Sequence, residues 1–242
     1  MTTPGIPTGK LDNIAKVSLV LAPILIVVFN FLLPTNGTSP IDPEDSGAYI
    51  AKLGGDADIA QIYYVLIAIG MILFTRAIIG LYRIAPEGAS KQRLQIGMFG
   101  SVGALSLWAV LIGIGFAEAS VAEKVVTATA GAQAGVEGAA AQAGNATLIA
   151  SALHAAYFGI YQITTYVAFI MLIPIGGGLA ISGIVRREFG WLITLIGVVT
   201  VVVTSVMQIK TEEGIVSFGI IAVVFGVVFL LMGLQILRQD ME

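Results

Sequence analysis

The chain of 242 residues contains no cysteine and a single histidine, and only 11% of its residues are charged. The absence of cysteine excludes disulfides, thiolate catalysis, zinc-thiolate sites and iron-sulfur clusters. The sequence has no basic patch of the kind that nucleic acid requires, so nucleic-acid binding is not expected. With one histidine and no Asp or Glu inside any long apolar run, we expect no metal, no cofactor and no intramembrane metal catalysis.

The sequence is instead rich in long apolar stretches. Hydrophobic residues make up 57% of the chain and the mean hydropathy is +0.95. A helix of roughly 20 residues crosses a hydrocarbon core of about 30 Å. The pattern therefore predicts an all-α, multi-pass protein of the cell membrane, with six transmembrane helices in one bundle. The predicted spans are about 14–33, 60–82, 95–116, 148–184, 190–207 and 215–237.

Short tails, 1–13 and 238–242, flank this six-span domain, which covers residues 14–237. Between the third and fourth spans lies an outer segment, 117–147, rich in Ala and Gly. Its alanines favour a helix, whereas its glycines favour breaks. Because the segment is long and weakly charged, it is either a lid or docking surface for another chain, or a low-complexity linker.

Lysine and arginine residues near the span ends predict the orientation of the bundle. On the proposed topology one side carries Lys10, Lys16, Arg83, Lys91, Arg93, Arg186, Arg187 and Arg238, and the other carries Lys52, Lys124 and Lys210. This asymmetry predicts that both termini are cytoplasmic.

The fourth span is too long for one perpendicular crossing, and Pro174 is a candidate kink within it. His154, Tyr157, Tyr161 and Thr165 follow at spacings of three, four and four, which places them on one helical face. One interpretation is a polar lining for a cavity or cofactor pocket. The other is an interfacial aromatic belt above an interhelical hydrogen-bonding face. A lone histidine without carboxylate or thiol neighbours is a poor metal site.

Arg76 lies inside the second span, about 10 Å from the membrane face marked by Arg83. It is either an anion site or gating charge, or an arginine that snorkels to the interface or packs between helices. The candidate polar face or pocket consists of Arg76, His154, Tyr157, Tyr161, Gln162 and Thr165.

The sixth span repeats glycine every seven residues, at Gly219, Gly226 and Gly233. Such a stripe predicts a close helix contact, either inside the bundle or with a partner chain.

The sequence contains no HExxH motif and no Walker lysine loop, so no catalytic residue is assigned. The favoured hypothesis is a non-catalytic accessory or scaffold subunit that packs in the lipid bilayer against partner membrane chains, as a hetero- or homo-oligomer. The alternative is a transporter or channel for a small neutral or anionic solute. An enzyme that acts on lipid at the outer interface through His154 is the least favoured hypothesis.

Overall fold

A computed structural model describes residues 9–36 and 40–239. The fold is all-helical, with 85% helix and no strand among these residues. The described chain forms eight helices: α1 (Asn13–Leu32), α2 (Ser46–Gly55), α3 (Ala57–Ile84), α4 (Ala89–Gln133), α5 (Ala139–Ile170), α6 (Leu172–Ser182), α7 (Arg187–Val206) and α8 (Glu212–Gln239).

Six helical segments in the described residues are long and apolar enough to cross a membrane, which confirms the predicted number. Helices α5 and α6 together make one of them, and α2 is too short to make another. Large apolar side chains on their outer faces are open to the surroundings, as with Ile163 at 56% and Ile220 at 63% exposure. Such faces match a lipid environment, so the bundle is a multi-pass membrane fold.

Sequential spans run antiparallel. Along α3, Gly70 packs against Ile26, whereas Gly80 packs against Ala15 near the start of α1. The last span, α8, returns beside α1, where Gly233 lies against Leu19. Both described chain ends therefore lie at one end of the bundle, called here the terminal end. The opposite end, which carries α2, is called the far end.

Helices α1 and α8 are close at the terminal end and apart at the far end. A β-carbon on Gly233 would lie 3.0 Å from a methyl of Val20, and one on Gly226 would lie 2.8 Å from a methyl of Val27. No atom of the described chain lies within 4 Å of the position that a β-carbon would take on Gly219. Gly226 and Gly233 of the seven-residue stripe thus pack α8 against α1 inside the bundle, whereas Gly219 faces open space.

The Ala- and Gly-rich outer segment is a helical hairpin. Helix α4 continues without a break to Gln133, so its 45 residues extend for about 67 Å, roughly twice the hydrocarbon thickness. The turn to α5 contains Gly135 and Gly138, whose φ angles of 76° and 77° are disfavoured for other residues. Gly135 follows the end of α4 and Gly138 precedes the start of α5, whereas Gly131 and Gly144 lie inside these helices. The hairpin therefore projects beyond the bilayer at the far end.

The fourth span is interrupted at Met171, between α5 and α6. Pro174 has no N–H to donate to the carbonyl of Ile170, which explains the break at this point. At the far end, Asp45 begins α2 by accepting a hydrogen bond of 3.0 Å from the N–H of Ala48. Gly54 then lets α2 lie directly on the backbone of α4 at Ala122. Helix α2 thus covers the junction between the bundle and the hairpin.

Candidate functional site

A buried acid and the single histidine meet beneath α2. Glu118, on α4, is 0% exposed, and His154, on α5, is 6% exposed. The Nδ1 atom of His154 lies 2.9 Å from a carboxyl oxygen of Glu118. Its Nε2 atom lies 2.7 Å from the carbonyl oxygen of Pro43, in the segment before α2. The pair therefore joins three parts of the chain that are distant in sequence.

The hydrogen-bond partners determine how many protons the pair holds. A carbonyl oxygen only accepts, so Nε2 of His154 must carry hydrogen to bond Pro43. One further proton then lies between Nδ1 and Glu118, either on the ring as an imidazolium or on the carboxyl as a neutral acid. Both arrangements have zero net charge, which reduces the cost of burial. Loss of that proton would leave either an uncompensated carboxylate or a broken bond to Pro43.

Aromatic rings enclose the pair. The ring of Tyr49, from α2, lies 4.6 Å from that of His154, and the ring of Phe158 lies 4.9 Å from it. Tyr64, from α3, packs its ring against Gly115, one turn before Glu118. The second carboxyl oxygen of Glu118 and the hydroxyl of Tyr64 are buried without a hydrogen-bond partner among the described residues. Buried polar atoms of this kind are costly in a membrane protein and mark candidate functional positions.

The expectation that His154 has no carboxylate neighbour is wrong, because Glu118 belongs to the bundle and not to an outer loop. The spans drawn from hydropathy ended at Phe116, where charged residues begin. The turn between the two antiparallel helices is centred on residue 136, and residues at equal distances from such a turn lie opposite each other. Residues 118 and 154 are each 18 positions from the centre, so the position of the turn could have predicted their pairing. Tyr49 and Tyr64 were also missed, since each lies on another segment and no local pattern connects them to His154.

A second feature is an apolar cavity of about 580 Å³ at the far end, where α1 and α8 separate. Its walls come from α1, α3, α4, α5, α6 and α8, and its lining is mainly aliphatic and aromatic. The opening lies between α1 and α8, where Phe31 is 45% and Val216 is 43% exposed on the lipid-facing surface. The cavity is therefore open between α1 and α8, on the apolar outer surface of the bundle.

The polar groups of the cavity lie on its side toward the far end of the bundle. The side-chain amide of Asn36 donates to the backbone carbonyl of Asn30 at 2.9 Å and to its side-chain oxygen at 3.1 Å. Tyr161 lines the same end beside Asn30, with its ring 5.9 Å from that of Trp108. None of the described residues that line the cavity is Asp, Glu, Lys, Arg or His.

One face of α5 connects the two features. The ring of Tyr157 lies 5.3 Å from Phe158, which contacts His154, and 5.9 Å from Tyr161, which lines the cavity. Thr165 continues this face and is 1% exposed, with a hydroxyl that has no partner among the described residues. The spacing read from the sequence thus brings together His154, Tyr157, Tyr161 and Thr165.

Two predicted site residues lie elsewhere. Arg76 is at the terminal end, where it pairs with Asp12 at 2.6 Å. The pKa of Asp12 is held below its usual value, first by the hydrogen bond from the N–H of Ala15 and then by Arg76. Gln162 bonds the carbonyl of Thr204 at 2.8 Å and the N–H of Ile209 at 2.9 Å, which ties α5 to the end of α7.

Within the described residues, no group of three or more His, Asp or Glu side chains could hold a metal ion. The fold and the site together define a multi-pass membrane protein with an apolar cavity between α1 and α8 and a buried acid-histidine pair. No family model, no curated protein and no solved structure matches the chain.

Proposed function

We propose that this protein binds and carries a small, uncharged, membrane-soluble molecule in the cavity between α1 and α8. The observation that carries the proposal is the sideways opening of an apolar cavity of about 580 Å³ toward lipid. Its volume lies within the range of about 300–1,000 Å³ found for ligand sites. A molecule dissolved in the bilayer would enter without crossing water.

The electrostatics of the cavity favour a neutral solute over an anionic one. The described lining has no ionisable acid or base, so it offers nothing to offset the desolvation of a charge. Arg76, the residue that motivated the anion hypothesis, neutralises Asp12 at the opposite end of the bundle. The proposal therefore retains the neutral part of the transport hypothesis and includes no catalytic step.

The experiment uses the two tryptophans as reporters. Trp108 lines the cavity and is 7% exposed, whereas Trp191 is 47% exposed and lies outside it. In Trp191→Phe protein in detergent, the uncharged quencher 1-bromodecane should quench Trp108 by entering the cavity. Gly219→Leu places a side chain at the cavity mouth and should reduce that quenching severalfold.

Gly159→Leu is the matched control, because Gly159 is exposed on α5, outside the described cavity lining, and no described atom lies within 4 Å of its β-carbon position. It should leave the quenching of Trp108 unchanged. Equal quenching in the parent, Gly219→Leu and Gly159→Leu proteins would show that the cavity takes up no solute, and the proposal would be abandoned.

The accessory-subunit hypothesis remains the second candidate, supported by the hairpin of α4 and α5. Beyond Glu118 this hairpin is mostly exposed, has few charges, and presents apolar side chains such as Val136 at 59% exposure. A partner chain at the far end would cover such a surface. Mass spectrometry of the assembly released from native membranes should then detect a hetero-complex that Val136→Glu disrupts. A monomer in the parent protein would count against this role.

A further inference from the structure

We infer that the ligand is a single-chain neutral lipid whose head carries a hydroxyl or carbonyl oxygen, and this inference rests on the proposed function. The inference depends on the difference between the two ends of the cavity. Among the described lining residues, those at one end have hydrogen-bonding side chains and those at the other are apolar, so the site distinguishes the head of an occupant from its chain.

The polar end consists of Asn30, Asn36 and Tyr161. Asn36 uses its amide N–H groups on Asn30, and the Asn30 side chain is in turn hydrogen-bonded to the hydroxyl oxygen of Tyr161. The amide oxygens keep lone pairs that can accept, and the O–H of Tyr161 can donate. Together with the hydroxyl of Tyr161, the cluster offers both donors and acceptors and no charge. A hydroxyl or carbonyl head meets these requirements, whereas a carboxylate or phosphate would be buried without a counter-charge.

The apolar end is closed. From Gly219 toward the terminal end, the wall of α8 continues to Phe225, whose ring centroid lies 4.7 Å from that of Phe229 and 5.9 Å from that of Phe169. One residue further on, Gly226 brings α8 against α1 and ends the space between the helices. From Ile215 to Phe225 the cavity follows α8 for roughly 15 Å, at about 1.5 Å per residue. A chain of this reach fits beneath the head, with its remainder free to leave through the lateral opening.

The test compares three brominated probes of equal chain length: 10-bromodecan-1-ol, 1-bromodecane and 10-bromodecanoate at pH 8. Quenching of Trp108 in Trp191→Phe protein is divided by quenching of Trp191 in Trp108→Phe protein, which corrects for partition into the detergent micelle. The alcohol should exceed the alkane by about three- to tenfold in apparent affinity, as one or two hydrogen bonds provide. The carboxylate should give the weakest signal.

Asn30→Leu and Tyr161→Phe should lower the affinity of the alcohol to that of the alkane and leave the alkane unchanged. Two variants are used because either alone risks a folding defect, which gel filtration and the thermal midpoint would show. Equal binding of alcohol and alkane in the parent protein, or an equal loss of both in the variants, overturns head recognition while the proposed function stands. Absence of quenching by all three probes overturns the proposed function as well.

Discussion

Removal of both partners of the Glu118–His154 pair should destabilise the protein by less than the sum of the two single removals. Glu118→Ala leaves Nδ1 of His154 buried without its partner, which costs about 1–3 kcal/mol before any cavity is counted. His154→Ala leaves a carboxyl group that is 0% exposed with no partner, a loss of about 3–5 kcal/mol. In the double variant neither polar group remains, so its cost should fall short of the sum by about 2 kcal/mol.

The assay is equilibrium unfolding in mixed micelles titrated with sodium dodecyl sulfate, followed by tryptophan fluorescence. Glu118→Gln provides a discriminating variant, because its amide donates to Nδ1 while Nε2–H still bonds Pro43. Its cost should stay below about 1 kcal/mol. Glu123→Ala, an exposed acid on the same helix, is the control and should change little. Strict additivity in the double variant, or a Glu118→Gln protein as unstable as Glu118→Ala, would refute the reasoning.

Three further outcomes are expected. Gly226→Leu should lower the free energy of unfolding by about 1–3 kcal/mol because it forces α8 away from α1, whereas Gly219→Leu should change it by less than about 0.5 kcal/mol in the same titration. Because the pKa of Asp12 is depressed by its hydrogen bonds to Ala15 and Arg76, its contribution to stability is present above an ordinary carboxyl pKa of about 3.9 and is lost as the pH falls through the lowered value. Asp12→Asn, which still caps α1, should therefore weaken the dependence of the thermal midpoint on pH below about 4, and an unchanged dependence would contradict this assignment. Since the chain has no cysteine, Thr127→Cys in the hairpin should react with an impermeant maleimide on intact cells and Lys91→Cys only after permeabilisation; the reverse pattern would contradict cytoplasmic termini.

The number of spans was predictable because it depends on local composition. Every transmembrane helix contains a window that is apolar enough to be recognised without its neighbours. The helix ends were less predictable, as α4 shows. Hydropathy detects where lipid ends, whereas the helix continues to Gln133 because alanine favours it in water too.

The candidate site was predictable only along a single helix. Spacing places His154, Tyr157, Tyr161 and Thr165 on one face, since that needs nothing more than the helical period. The position of Glu118 opposite His154 depends on the register of two helices, and the cover supplied by Tyr49 depends on how α2 folds back. Arg76 illustrates the same limit, because its partner, Asp12, is on another helix.

The register of the α4–α5 hairpin also restricts how its length can change during evolution. One residue inserted between Glu118 and the turn would rotate the carboxyl group by about 100° around α4 and move it about 1.5 Å along the axis, away from His154. Matching insertions of about seven residues, two helical turns, in both arms would restore the alignment. Relatives that keep the pair should therefore have hairpins that differ by whole pairs of turns added symmetrically, while single-residue insertions should be found in the glycine turn.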